Sequence, residues 1–237
     1  MLVEHKKPFF TGVLYGVSFL AVLAVIFSPI FGEGRNGLVF SDDMFNKLSK
    51  GSSYFIPKII KGNEKNMGKQ FSVTISLDKP EVAEKAAGQF KKAGSEVQLD
   101  AAKLKISGDL GKTLAAILKD ADSMFNNDAD KLKADYGYDG KEVLQSWWQA
   151  LSKMDKAFKK DGKIEESNQI GSVMKKAVEP AYNFFGIQSQ QVSDKIGIMS
   201  GLLVFYVVYT MWWGFAIYFL FEGFGLSMKK AKVKKEI

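Results

Sequence analysis

No cysteine occurs in the 237 residues. That removes disulfides, thiolate nucleophiles and cysteine-held metals. It leaves the redox compartment open, because a cysteine-free chain suits either environment. Histidine is reduced to His5 alone, so there is no multi-histidine metal centre, and a Ser-His-Asp triad would depend on that one residue. His5 stands just before the first apolar run, away from any folded domain, and reads as a solvated or headgroup-level side chain. Arginine is nearly missing too: Arg35 is the only one among 33 basic residues, and the net charge of +7 is carried by lysine. Lysine is a mobile, strongly hydrated point charge, whereas arginine supplies the planar fork suited to phosphates. The lysines are spread along the chain and interleaved with acids, which argues for solvated helix faces and against a nucleic-acid surface.

Catalytic signatures are missing as well. There is no G-x-S-x-G, no phosphate-cradling glycine loop and no H-E-x-x-H. "GEGRNG" (Gly32 to Gly37) resembles a glycine fingerprint only superficially, since it follows a long apolar run rather than a buried strand. It reads as a flexible exit linker. The acid-rich stretch from Asp120 to Gly140 invites a calcium loop, but Gly137 and Ser146 fail the required positions when Asp135 starts the loop, and Leu132 fails when Asp128 does. These acids are expected to cap helices and solvate a loop. No spacing singles out a pair of carboxylates for hydrolysis. Neither a cofactor nor a metal is expected.

What the chain does have is two long runs without charge, Phe9 to Phe31 and Ile196 to Phe221. Each exceeds the roughly 20 residues that cross a hydrocarbon core about 30 Å thick. A soluble core helix rarely lacks a polar face over such a length. The first run is long for a signal peptide and has no small-x-small site at its outer end, so an uncleaved anchor is expected. Lys6 and Lys7 precede the first run; Lys229, Lys230, Lys232, Lys234 and Lys235 follow the second. Lysine-rich short flanks stay cytoplasmic while long loops translocate largely regardless of charge. Both termini are therefore expected in the cytoplasm of a cell with a bacterial-type inner membrane. That gives a cytoplasmic N-terminus (1–8), a first span (9–31), an extracytoplasmic domain (32–195), a second span (196–221) and a basic cytoplasmic tail (222–237). Such a tail is too short for a kinase or a nucleotide-binding domain, so any inward signal would need another protein.

The outer domain reads as α+β. Ser41 is expected to cap a helix that breaks near Gly51 and Pro57, with Phe40 and Phe45 placed as a hydrophobic staple. "FSVTISL" alternates apolar and polar residues, the signature of a strand buried on one face. Asp78, Pro80 and Glu81 mark the next helix start. Val97, Leu99, Leu104 and Ile106 lie on the two arms of a hairpin, and Asp109 is expected to cap a helix with a stripe from Leu110 to Phe125. The order β-α-β-β-α (about 66–126) is most of a split βαβ, ferredoxin-like unit, which by itself assigns no function. Helical residues of about 140–190 then either pack as an antiparallel pair on the sheet or form a stalk.

Candidate contact residues follow from these elements. Trp147 and Trp148 both fall on an apolar helix face, where a core role is expected and a partner platform is the alternative. Gly12 with Gly16, and Gly197 with Gly201, have the G-x-x-x-G spacing that lets helix backbones approach. In an antiparallel hairpin those two notches would not meet, which points to neighbouring chains and includes homo-oligomers. At 1.5 Å per residue the second run is roughly 39 Å long, so Trp212 and Trp213 are expected near the inner headgroup region as an aromatic belt. The alternative for that aromatic face is packing on a larger membrane subunit or a quinone-like ring. The overall expectation is a non-enzymatic accessory or scaffold subunit whose partners are the bilayer and other membrane or extracytoplasmic proteins. A ligand-binding sensory module is the second reading, and a carboxylate hydrolase the third.

Overall fold

The computed structural model describes residues 3–226. The elements are α1 (Lys6–Phe27), α2 (Gly37–Ser52), α3 (Ile56–Asn63), β1 (Gln70–Ser76), α4 (Pro80–Lys92), β2 (Glu96–Asp100), β3 (Lys103–Asp109), α5 (Leu110–Phe125), α6 (Ala129–Tyr136), α7 (Gly140–Lys160), α8 (Ile164–Val173), α9 (Glu179–Asn183) and α10 (Ile196–Gly223). They form a mostly helical α+β chain with one three-stranded antiparallel sheet. The chain divides into two units, Met1–Phe45 with Gln191–Ile237, and Asn46–Gln190.

In the first unit, α1 and α10 are long and apolar enough to cross a membrane. α1 stops at Phe27, short of the expected Phe31. Ser28 precedes Pro29 and is extended (φ −78°, ψ 152°), because the proline ring excludes a helical residue before it. The two helices pack antiparallel. At one end the Glu4 and His5 amides both donate to the Gly223 carbonyl at 3.0 Å, which satisfies a terminal acceptor of α10. Gly223 seats on Phe9: a Cβ there would come within 2.6 Å of the Phe9 Cα. That register throws the surplus length of α10 to the Ile196 end. Trp212 and Trp213 consequently do not lie at the end carrying the termini, as expected from length alone. Trp212 donates its Nε1–H to Ser18 Oγ at 3.2 Å, and the Trp213 ring stands 4.8 Å from Phe19. Ser18 is halfway along α1.

The turn after α1 is folded rather than a loose linker. Gly32, Glu33 and Gly34 all take positive φ, and the Arg35 amide donates to the Gly32 carbonyl at 3.0 Å. Arg35 also pairs with Glu33 and Asp43, each at 3.2 Å. α2 starts earlier than expected. Asn36 Oδ1 accepts from the Val39 amide at 2.9 Å, so Asn36 supplies the cap. Ser41 lies inside the helix, with its hydroxyl donating back to the Gly37 carbonyl at 2.8 Å.

In the second unit the strand order is β1-β3-β2, with Val73 opposite Ile106 and Ile106 opposite Val97. β1 and β2 therefore run parallel on either side of β3, and α4 is the crossover between them. Phe71, Val73, Ile75, Leu104 and Ile106 are buried on one face, while Ser72, Thr74, Ser76, Lys103 and Lys105 are exposed on the other. α4 and α7 cover the apolar face, and α8 packs on α7; of the two arrangements open to the helices of 140–190, the packed pair is the one formed. Asp109 caps α5, accepting from the Lys112 amide at 3.0 Å and, through its other oxygen, from Gly68 at 2.9 Å. The Lys112 amide, with Gly68 beside it, holds this carboxyl below the usual carboxylate range. Asp78 does not cap α4. It pairs with Lys153 at 2.8 Å instead, and Lys79 takes the cap position without a side-chain bond.

Two buried polar groups organise this unit. Lys50, 2% exposed, donates to Asn127 Oδ1 at 3.0 Å and to the carbonyls of Phe184 and Ile187 at 3.1 and 2.6 Å. Burial pushes its ammonium below the ordinary lysine value. Asn127, in the left-handed region at φ +64°, bonds the same segment through the Gly186 amide and the Ile187 carbonyl. Asp120 is the second. It accepts from Tyr136 Oη at 2.6 Å and from Trp147 Nε1 at 2.8 Å, both on Oδ2.

Candidate interaction groove

An apolar groove of about 350 Å³ lies between α7 and α9, lined by Leu144, Gln145, Trp148, Val178, Glu179, Tyr182 and Asn183. Its two walls arise from different sequence features. α7 carries its apolar stripe through Val143, Leu144, Trp147, Leu151, Met154 and Phe158, all fully buried. Adjacent residues on a helix point about 100° apart, so only one member of a Trp-Trp pair can sit at the centre of that stripe. Trp147 takes the centre: its ring meets Phe90 edge-on at 5.0 Å, and it has no exposed surface to offer a partner. Trp148 is left on the rim with 41% of its surface exposed. The sequence pattern gave both residues one status; the structure separates them.

The opposite wall is made by a helical run interrupted by a π-turn, Met174–Val178, between α8 and α9. Pro180 accounts for the interruption. Proline has no amide hydrogen and its ring clashes with the carbonyl four residues back, so a regular α ladder cannot pass through it. The widened turn accommodates this, with the Glu179 amide donating to the Met174 carbonyl. The extra residue rotates α9 and brings Glu179 and Tyr182 to the groove. Such turns recur at functional positions. This feature was not read from the sequence, although Pro180 inside an apolar periodic stretch was its available sign.

Trp148 and Glu179 are joined across the groove, Nε1–H to Oε1, at 2.9 Å. Tyr182 is 39% exposed, and the Lys141 ammonium stands 5.5 Å from its ring centroid and 5.6 Å from that of Phe185. The groove thus offers two aromatic surfaces, one carboxylate held by the indole and one cation at the edge. Chemically it can receive an apolar side chain and orient a hydrogen-bonding group beside it. Behind it, burial leads the causes that raise both the Asp120 carboxyl and the Tyr136 phenol above their ordinary values, and burial likewise pushes the Tyr138 phenol up to about 12.

A second cleft of about 440 Å³ is polar and includes Asp78, Lys85, Glu142, Ser146 and Gln149. Its acids are each neutralised: Glu142 by Lys85 at 2.5 Å and Asp78 by Lys153. Within the acid-rich stretch Asp128 and Asp139 cap α6 and α7, as expected. No group of three or more His, Cys, Asp or Glu that could hold a metal occurs among the described residues.

The four spacing glycines separate as well. Gly12 is packed, since a Cβ would meet the Leu220 amide at 2.6 Å and the Ala216 carbonyl at 3.0 Å. Gly16, Gly197 and Gly201 have nothing within 4 Å. Lys6 and Lys7 are exposed at the start of α1; Lys229, Lys230, Lys232, Lys234 and Lys235 lie outside the described residues. No protein-family model, no curated protein and no solved structure matches the chain.

Proposed function

We propose that this chain is a non-enzymatic, two-span accessory or scaffold subunit of a membrane complex. In this reading α1 and α10 form an inner-membrane hairpin with both termini cytoplasmic, and the unit Asn46–Gln190 is the extracytoplasmic interaction domain. The sheet of that domain is taken as half of a ferredoxin-like unit, used as a platform for helices.

The observation that carries the proposal is the exposed aromatic rim of the α7–α9 groove, above all Trp148. A domain that buries Trp147, Phe90 and Phe158 completely does not need a second tryptophan at its surface for stability. Exposed tryptophan and tyrosine beside a concavity are favoured anchors for a protein partner. The apolar faces of α1 and α10, with Leu14, Val17, Leu203 and Tyr206 each at least 60% exposed, suit lipid or neighbouring helices. A small ligand in the same groove is the second reading, favoured by its concavity and its few convergent polar groups.

The test uses the full chain extracted from native membranes in mild detergent. Native sizing should give a species larger than the chain in its micelle. Trp148→Ala should reduce recovery of the partner about tenfold or more, the effect of losing an anchor worth ~1.4 kcal/mol or above. The same variant should leave thermal unfolding within about 1 kcal/mol of wild type, as expected for a rim position. A lone monomer in native extracts would contradict the reading.

A further inference from the structure

We infer that the first turn of α2 is a membrane-surface contact, its Leu38 and Val39 side chains docking at the boundary between acyl chains and headgroups of the bilayer that α1 enters. The inference rests on the proposal that α1 spans.

The level of this turn is fixed by packing within the first unit. α1 has 22 residues, and at 1.5 Å per residue that is roughly 33 Å, just enough for a hydrocarbon core of about 30 Å. Ile26, one residue from its end, therefore lies at the margin of the core. Gly37, the first residue of α2, is packed on that same residue: a Cβ on Gly37 would stand 3.1 Å from both the Ile26 carbonyl oxygen and its Cγ2 methyl, and 3.2 Å from the Phe31 ring. The chain returns to this level because the positive-φ run Gly32–Gly34 and the Arg35 pairs with Glu33 and Asp43 fold it back. Phe31 and Phe40 rings stand 6.3 Å apart and close the turn.

At that level the exposed surface is apolar. Leu38 is 54% exposed and Val39 49%, while Ile30, just past the end of α1, is 65% exposed. Asp42 follows one turn after Leu38 and is the first acidic side chain on that face. Three exposed aliphatic side chains close to the end of a spanning helix have a ready occupant in the bilayer itself, because the contact extends the exposed apolar surface of α1 at the level where that helix leaves the core. Burying them at the interface also pins the exit angle of the chain, which a flexible linker would leave free.

The chain has no cysteine, so single cysteines at 17, 38, 39, 42 and 76 can each carry a nitroxide in the full protein in lipid nanodiscs. Accessibility to oxygen and to a water-soluble nickel chelate then reports depth. Position 17 should read deep in the core and position 76 fully aqueous. Positions 38 and 39 should read shallow but lipid-immersed, with oxygen favoured over nickel, and position 42 should favour nickel. Nickel-favoured readings at 38 and 39, with 17 still deep, would overturn the inference and leave the span intact. A nickel-favoured reading at 17 would remove the span and the inference together.

Discussion

Replacing Asp120 by leucine should lower the stability of the Asn46–Gln190 unit by about 2–5 kcal/mol, whereas asparagine at the same position should cost little. The carboxylate is the shared acceptor for Trp147 Nε1–H and Tyr136 Oη–H. Leucine has similar size but accepts nothing, so the buried Trp147 donor and the half-buried Tyr136 donor lose their partner at up to about 1–3 kcal/mol each, partly offset by the added apolar burial. An amide oxygen has two lone pairs and can serve both donors, and the amide carries no charge to desolvate. Thermal unfolding of the full chain, followed by tryptophan near-ultraviolet dichroism, separates the two. The leucine variant should melt on the order of 10 °C below wild type.

The pH dependence gives an independent check. Burial raises the Asp120 carboxyl above its ordinary value in the folded state, so the folded state holds this proton more tightly than the unfolded state does. Its contribution is therefore fully present below the unfolded carboxylate value of about 3.9 and is lost as pH rises through the higher folded value. Wild type should lose stability relative to Asp120→Asn over that window, with a constant difference above the folded value. A difference of the opposite sign would show that Trp147 and Tyr136 outweigh the burial.

Gly12→Leu should open the hairpin, and the three other spacing glycines should tolerate the same change. The Cβ at position 12 would collide with backbone atoms of Ala216 and Leu220, which cannot swing aside as a side chain can. Overpacking of this kind costs about 1–3 kcal/mol. The readout is oxidative cross-linking between cysteines replacing Tyr15 and Phe219, whose rings stack at 5.9 Å in the native protein. A cost of ~1.4 kcal/mol corresponds to about tenfold in the closed population, so the yield should fall by that order. Gly16→Leu, Gly197→Leu and Gly201→Leu should leave it unchanged, because each has open space around it. Loss of cross-linking in those three variants would mean that the helices pack on a different face.

Legibility in the sequence tracked the locality of the cause. β1 was readable because Phe71, Val73 and Ile75 alternate with Ser72 and Thr74, and α5 because Asp109 directly precedes a regular apolar stripe; both causes lie within a few residues. The start of α2 was misjudged because Asn36 and Ser41 are both good caps, and only the fold-back of Arg35 onto Gly32 selects the earlier one. The place of Trp212 along the helix pair depends on the register of Gly223 against Phe9, a relation between residues far apart in the chain. Gly223 and Ala216 carry that register, and their spacing of two helical turns along one face was the sign to read. Lys50 looked like any surface lysine. Its burial follows from carbonyls delivered by residues 184–187, which no local pattern announces. Within the groove, the aromatic pair was visible but not its division into a buried Trp147 and an exposed Trp148.

The central claim is that the two apolar helices cross a bilayer and set the unit Asn46–Gln190 opposite the termini. Sealed membrane vesicles of known orientation, carrying the full chain with one cysteine at Ser76 or at His5, test it with a membrane-impermeant maleimide. Both positions are exposed, so reactivity reports the compartment rather than burial. Ser76→Cys should label from the extracytoplasmic side without lysis, and His5→Cys should label from that side only after lysis. Labelling of both from one side of an intact membrane would contradict it.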